Sequence, residues 1–289
     1  MMIGRARDRI AVLFGSRLPW KAGIEAALAG SRFIPTMADL STVDPRDADL
    51  VVPLTFADHD VLRVLGPDAV TALLPDLAAR DLCRDKLALN QWLENMGYGY
   101  LVPRLHTSLP KQASDYPLLC KVRCGEWGQG ISVLSCPDDA QGFDPRHMFL
   151  QSIVSTGVEW AAHLSFHEGR LIHALSVRYE MGRAGLIKGH AHQPLTSVAH
   201  QQTPYLALWL EIAERMGLRN GTVCIDFAEA DGCPVLYEIN PRVGATLVMD
   251  LPRYLEACLT ALARERPSPR LVAATDRFDQ AVVSSTAIA

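Results

Sequence analysis

The chain has 289 residues, a formal net charge of -4, and 49% hydrophobic against 21% charged residues. That balance excludes whole-chain disorder and offers no broad cationic surface for nucleic acid. The longest apolar pieces, such as Asp49-Leu-Val-Val-Pro-Leu54, fall far short of the roughly 20 residues a membrane-spanning helix needs.

At about 150 residues per domain, the length predicts roughly two domains. The start, Met1 to Asp8, carries basic residues with no apolar stretch behind them, so no signal peptide is expected. Seven cysteines at irregular spacings predict free thiols in a reducing cytoplasm. No repeat or low-complexity tract is visible.

Arg9-Ile-Ala-Val-Leu-Phe-Gly15 reads as a buried strand ending in a glycine turn. A short helix follows over 19–29 and a second buried strand over 49–53. Alternating strands and helices predict a small parallel α/β unit ending near residue 80. Arg84 to Met96 is amphipathic, with Leu87, Trp92, Leu93 and Met96 near one stripe, and Gly97 stops it.

From Pro117 the pattern turns strand-rich, over 117–124, 131–134, 148–154, 158–167 and 170–179. Residues 181–200 read as a long loop, and 204–216 as a helix. A hairpin covers 221–240 and a last helix 248–264. The tail from about 266 reads as poorly ordered.

The hairpin Gly221 to Asn240 is the most informative segment, because Asp231-Gly232 between two apolar strands is a turn signal. A two-residue turn pairs Asp226 with Tyr237 and sends Glu238 to the opposite face. A three-residue turn, with Gly232 left-handed, pairs Asp226 with Leu236. Asp226, Glu238 and Asn240 then share a face, because strand side chains alternate. Three oxygen donors on one face suit a hard cation such as magnesium.

Upstream, Lys121 sits on a strand running into Gly125, Gly128 and Gly130. Glycines let backbone N–H groups wrap phosphate oxygens, and lysines neutralise them. Lys86 opens the amphipathic helix after Asp85. His190-Ala-His192 has no matching third ligand, and Cys120, Cys124 and Cys136 form no Cys-x-x-Cys pair, so no zinc site is expected. No Walker-type loop, Gly-x-Ser-x-Gly or His-Glu-x-x-His is present.

Asp226 followed by Glu238-Ile-Asn-Pro-Arg242 resembles the metal-binding hairpin of the ATP-grasp superfamily. The continuation Val-Gly-Ala is closest to its carbamoyl-phosphate-synthase-like branch. Asp85-Lys86, Pro103-Arg104, the glycine loop and the stretch Met148 to Trp160 resemble other family motifs in the same order. The resemblance spans residues 81 to about 260.

It implies an α/β N-terminal domain followed by an α+β ATP-grasp fold, in which two lobes clamp ATP between antiparallel sheets. The expected divisions are a short α/β domain over 1–80, an ATP-grasp domain over 81–265 and a tail over 266–289. Within the second, 81–154 is the nucleotide-binding lobe and 155–265 the metal and substrate lobe.

The resemblance assigns ATP to Lys86, Lys121, Arg123, Gly125, Gly128, Gly130, Gln151, Ser152, Ile153, Val154 and Glu159. Gln151 to Val154 line the adenine edge and Glu159 holds the ribose. Metal falls to Asp226, Glu238 and Asn240, with Mg2+ as the ion and Mn2+ as a substitute. Arg242, Arg178 and Arg183 face the reacting groups.

Three positions depart from the family pattern: Gln151 replaces an acidic residue, and Glu126-Trp127 replaces small ones. Trp127 has two readings, a lid over nucleotide or simple packing. The implied activity is ATP-dependent carboxylate–amine ligation through an acyl phosphate. The expected partners are a small carboxylate and an amine, with neither nucleic acid nor membrane, in a cytoplasmic protein compatible with a homodimer. A nucleotide-binding regulatory or scaffold protein with a non-catalytic clamp is the alternative.

Overall fold

A computed structural model describes residues 9–66, 69–154, 156–181 and 194–263. The first unit contains β1 (Ile10–Gly15), α1 (Lys21–Leu28), β2 (Phe33–Ala38), β3 (Leu50–Val52) and α2 (Phe56–Leu65). Its parallel sheet has the order β2-β1-β3, with Ile10 opposite Phe33 and Val12 opposite Leu50. Both faces are covered, so Val12, Phe14, Leu50 and Val52 on one and Leu13 and Val51 on the other are all buried, as a central parallel sheet requires. Thr55 caps α2 by accepting from the backbone N–H of Asp58, whose carboxylate accepts in return from Thr55 N.

The amphipathic segment is α4 (Lys86–Asn95), and a separate helix, α3 (Leu77–Arg84), runs into it. Asp85 makes the break by capping α4, accepting from Leu87 N and Ala88 N. Helix α3 crosses the boundary drawn at residue 80, and its Ala79 and Cys83 pack with Leu89 and Leu93 in the second unit's core.

Strands β4 (Leu105–His106), β5 (Leu118–Val122), β6 (Ile131–Leu134) and β7 (Met148–Ser152) form an antiparallel sheet of order β4-β7-β5-β6. A second antiparallel sheet has the order β10-β9-β8-β11-β12. Its strands are β8 (Val158–His167), β9 (Arg170–Glu180), β10 (Thr196–His200), β11 (Gly221–Ala230) and β12 (Cys233–Asn240).

One face of this sheet packs against α6 (Leu251–Ala263) and the first unit, through Leu175, Val177, Tyr254 and Phe14. The other packs against α3, α4 and α5 (Leu206–Arg215), through Phe227, Trp209 and Leu93. Among the described residues no helix is long and apolar enough to cross a membrane.

The long loop expected over 181–200 is in part a strand. Thr196–His200 pairs antiparallel with β9, Thr196 opposite Glu180. Residues 182–193, and with them Arg183, Lys188, His190 and His192, lie outside the described residues, as does the tail from 264.

The hairpin keeps its expected span but not its expected turn. Ala230 pairs with Cys233, so the turn has two residues, with Asp231 at φ 51° and Gly232 at φ 75°. Positive φ at both positions is what a tight turn between twisted strands demands. The register then shifts between Asp226 and Phe227: Phe227 lies opposite Leu236, while Asp226 lies opposite Glu238. Tyr237 is the extra residue of a β-bulge.

Candidate functional site

The bulge restores the parity that the short turn would have lost. Asp226 and Glu238 are direct cross-strand neighbours on one face, and Asn240 follows two residues on. The Asn240 amide donates to Glu238 Oε1 at 2.8 Å and lies 3.4 Å from Asp226 Oδ2. Tyr237 donates its hydroxyl to the Val154 carbonyl at 2.8 Å. That bond ties the bulge to the stretch after β7.

These groups open onto a cavity of about 490 Å³ lined from both antiparallel sheets and from the first unit. This size is within the range of small-molecule sites. Lys121, Gln151, Ser152, Ile153, Val154, Glu159, Asp226, Glu238, Asn240, Arg242 and Gly128 all line it. Glu159 is buried on β8, and Ser152 bonds His106 Nε2 at 3.0 Å.

Lys121 is buried, and burial pulls its pKa from 10.5 down to about 8. Glu238, Asp226 and Glu159 oppose that shift, and the Lys86 cation adds to it. The lysine therefore lies within electrostatic range of both carboxylates of the hairpin.

Arg242 is also buried. It pairs through Nε with Glu126 at 3.1 Å and donates to the Val243 carbonyl at 3.1 Å. Its guanidinium lies 3.5 Å from the centre of the Trp127 ring.

Other expected contacts fall outside the cavity wall. Arg123 turns away to Asp85, with Nε 3.1 and 3.2 Å from the two carboxylate oxygens. The pair anchors the start of α4 to the glycine loop. Arg178 pairs with Glu180 two residues along the same strand. Both arginines have a carboxylate partner, and neither lines the cavity.

Lys86 donates from Nζ to the Gly125 carbonyl. Gly125 and Gly130 form the base of the loop rather than the wall. Gly130 has φ 70°, and a Cβ there would lie 2.5 Å from Val122 Cγ1, so the loop's exit accepts no side chain.

The structure adds wall residues that sequence reasoning did not name: Arg17, Trp20, Tyr179, Cys224, Tyr237 and Thr246. Thr246 is held by His163 Nε2 at 3.0 Å and the Tyr179 hydroxyl at 2.8 Å. Arg17 and Trp20 follow the carboxyl end of β1. Open α/β sheets bind ligands outside the carboxyl ends of their strands, which is the signal that marks them.

No family model and no curated protein matches the sequence. Solved structures do match over most of the chain. The D-alanine–D-alanine ligase of Bacillus anthracis is 15% identical, with 89% of this chain and 97% of that one covered and a TM-score of 0.57. D-alanyl-alanine synthetase A of Vibrio cholerae is 14% identical, with 89% and 99% covered and a TM-score of 0.59. The L-amino acid ligase of Bacillus licheniformis is 17% identical, with 89% and 75% covered and a TM-score of 0.55. The chain has the ATP-grasp fold.

One observation tests whether the ATP-grasp cleft fits adenine. The Gln151 side chain is fully buried, and neither its amide nitrogen nor its oxygen has a hydrogen-bond partner among the described residues. An orphaned amide costs about 1–3 kcal/mol per unmade bond. A purine edge offers the matching donor and acceptor. Gln151→Leu is therefore expected to raise the stability of the nucleotide-free protein by about 1–3 kcal/mol. It should also weaken ADP binding about tenfold or more. Denaturant midpoints with and without ADP check both effects, and a destabilised variant with unchanged ADP affinity would contradict the fit.

Proposed function

We propose that the protein is an ATP-dependent carboxylate–amine ligase that forms an amide or peptide bond on a small metabolite such as an amino acid. The reading rests on one observation above all. Asp226, Glu238 and Asn240 share a face, and Lys121 lines the same cavity within their electrostatic reach.

The donor set is two carboxylates and an amide, which suits a hard cation held by few protein ligands. Asn240 joins it by turning its amide oxygen towards the carboxylates. Magnesium, or manganese in its place, would supply charge neutralisation at phosphate oxygens. Phosphoryl transfer needs positioning and charge stabilisation more than covalent help. Lys121 provides the fixed cation, the backbone around Gly128 closes on the phosphates, and Glu159 accepts from ribose hydroxyls.

In the proposed reaction a substrate carboxylate oxygen bonds to the γ-phosphorus of ATP. The bond to the bridging oxygen breaks, and its electrons leave with ADP. The amine nitrogen then attacks the acyl phosphate carbon, phosphate departs with the C–O electrons, and the ammonium proton passes to it or to water. Arg242 would hold the carboxylate and the oxyanion that follows. At present its Nε is taken by Glu126. That contact is also what a non-catalytic nucleotide-binding protein would keep, so the second reading has one observation behind it.

Phosphate release from ATP and magnesium, screened over carboxylate and amine pairs with mass measurement of products, separates these readings. ADP, phosphate and an amide mass are expected. AMP and pyrophosphate would overturn the mechanism, and ATP binding with no turnover on any pair would favour the second reading.

A further inference from the structure

Most arginines that are buried or half-buried near the cleft have a carboxylate partner. Arg242 pairs with Glu126, Arg123 with Asp85, and Arg178 with Glu180. Arg17 is the exception. It is half-buried and lines the cavity, yet its side chain makes no hydrogen bond and no ion pair with any described residue. Its Nε is shut off from solvent as well.

What holds Arg17 is aromatic. Its guanidinium lies 4.5 Å from the centre of the Trp127 ring, and Trp20 meets the same ring edge-on at 4.7 Å. Trp127 also carries the Arg242 guanidinium at 3.5 Å. Two cations thus lie against one indole, and only one of them has an anion beside it.

A guanidinium stacked on a ring is satisfied on its face, while its N–H groups, which lie in its plane, still require acceptors. If Arg17 served only to fasten the loop to the first unit, its buried Nε–H would be left without an acceptor. A ligand oxyanion supplies one. The two cations differ in their surroundings. Arg242 is next to the hairpin carboxylates, whereas Arg17 comes from the first unit, with Trp20 beside it.

We propose that Arg17, braced by Trp127 and Trp20, is a second anion-recognition site on the wall that the first unit contributes to the cleft. The substrate then carries an anionic group, carboxylate or phosphate, besides the carboxylate activated near Arg242. This rests on the ligase reading and narrows its substrate class to dianionic small molecules.

The full chain with magnesium tests it, using tryptophan fluorescence and calorimetry on matched probes, each with and without ADP. The pairs are L-glutamate against L-glutamine, L-aspartate against L-asparagine, and O-phospho-L-serine against L-serine. In at least one pair the anionic member is expected to bind about tenfold or more tightly, the worth of a charge-assisted hydrogen bond. The first two pairs report a carboxylate site and the third a phosphate site.

Arg17→Gln should erase that preference by weakening the anionic member of the pair far more than its neutral counterpart. Arg17→Lys, which keeps the charge without the planar fork, should restore part of it. Equal binding within every pair would overturn the proposal. So would an Arg17→Gln protein that weakens both members alike, which is the mark of a fastening role. ADP binding is scored separately: its absence would sink the ligase reading, while the anion preference is still decided by the nucleotide-free titrations.

Discussion

Glu238→Gln is expected to lower ATP-dependent phosphate release by about 10²–10³-fold, the usual worth of a group that stabilises developing charge. At about pH 10, where Lys121 has lost its proton and no longer attracts Glu238, the same change should make the nucleotide-free protein slightly more stable. Glu238 and Asp226 are directly opposed on adjacent strands, and like charges in that position repel. Removing one relieves about 0.2–1 kcal/mol. The glutamine oxygen can still accept from the Asn240 amide, which donates to Glu238 at 2.8 Å, so the local hydrogen bond survives.

Opposite signs for activity and stability distinguish a ligand site from a structural contact. A carboxylate that merely held the hairpin together would lose both when neutralised. Phosphate release at saturating magnesium, beside urea midpoints without it at about pH 10, gives the two readouts. Full turnover would remove the metal assignment. A lower midpoint would show that the pair is held by contacts other than the cation it is proposed to bind.

The hairpin also shows how far a sequence carries such an argument. Its span and the common face of Asp226, Glu238 and Asn240 are legible from the alternation of apolar residues around Asp231-Gly232. The route is not. A three-residue turn was the simplest way to bring the carboxylates together, whereas the protein uses a two-residue turn and a bulge at Tyr237. No glycine marks that bulge. It is accompanied by the bond from the Tyr237 hydroxyl to the Val154 carbonyl, 83 positions away, and no local pattern records such a contact.

The same limit explains Arg123 and Arg178. Both have the charge the site needs, but their partners Asp85 and Glu180 become neighbours only through capping and strand geometry. Arg17 and Trp20 were invisible for the complementary reason. They come from the first unit, and only its packing on the face of β8, β9 and β11 brings them to the cleft.

Lys121→Met should cost about 100-fold in kcat/KM for ATP, as expected when a desolvated charge partner is truncated. The wild-type protein should already reveal this lysine through pH. Kcat/KM reports groups in the free enzyme, so it should fall as pH rises through about 8, where the buried ammonium loses its proton. Bound triphosphate favours the cation, so kcat itself should hold to higher pH.

Stability moves the other way. The unfolded chain keeps the proton up to its ordinary value of 10.5, while the folded protein releases it near 8. Between those values the unfolded state binds more protons, so this lysine makes stability rise with pH, by up to about 1.4 kcal/mol per unit. Lys121→Met lacks the dependence. Its advantage over wild type should be largest below pH 8 and shrink towards pH 10.

Glu238→Gln links the two experiments. Glu238 is the largest of the influences that hold the lysine's pKa up, so its neutralisation should shift the stability rise to lower pH. An unmoved rise would mean that lysine and hairpin are not electrostatically joined. The positive and negative poles on which the ligase reading depends would then have to be sought elsewhere in the cleft.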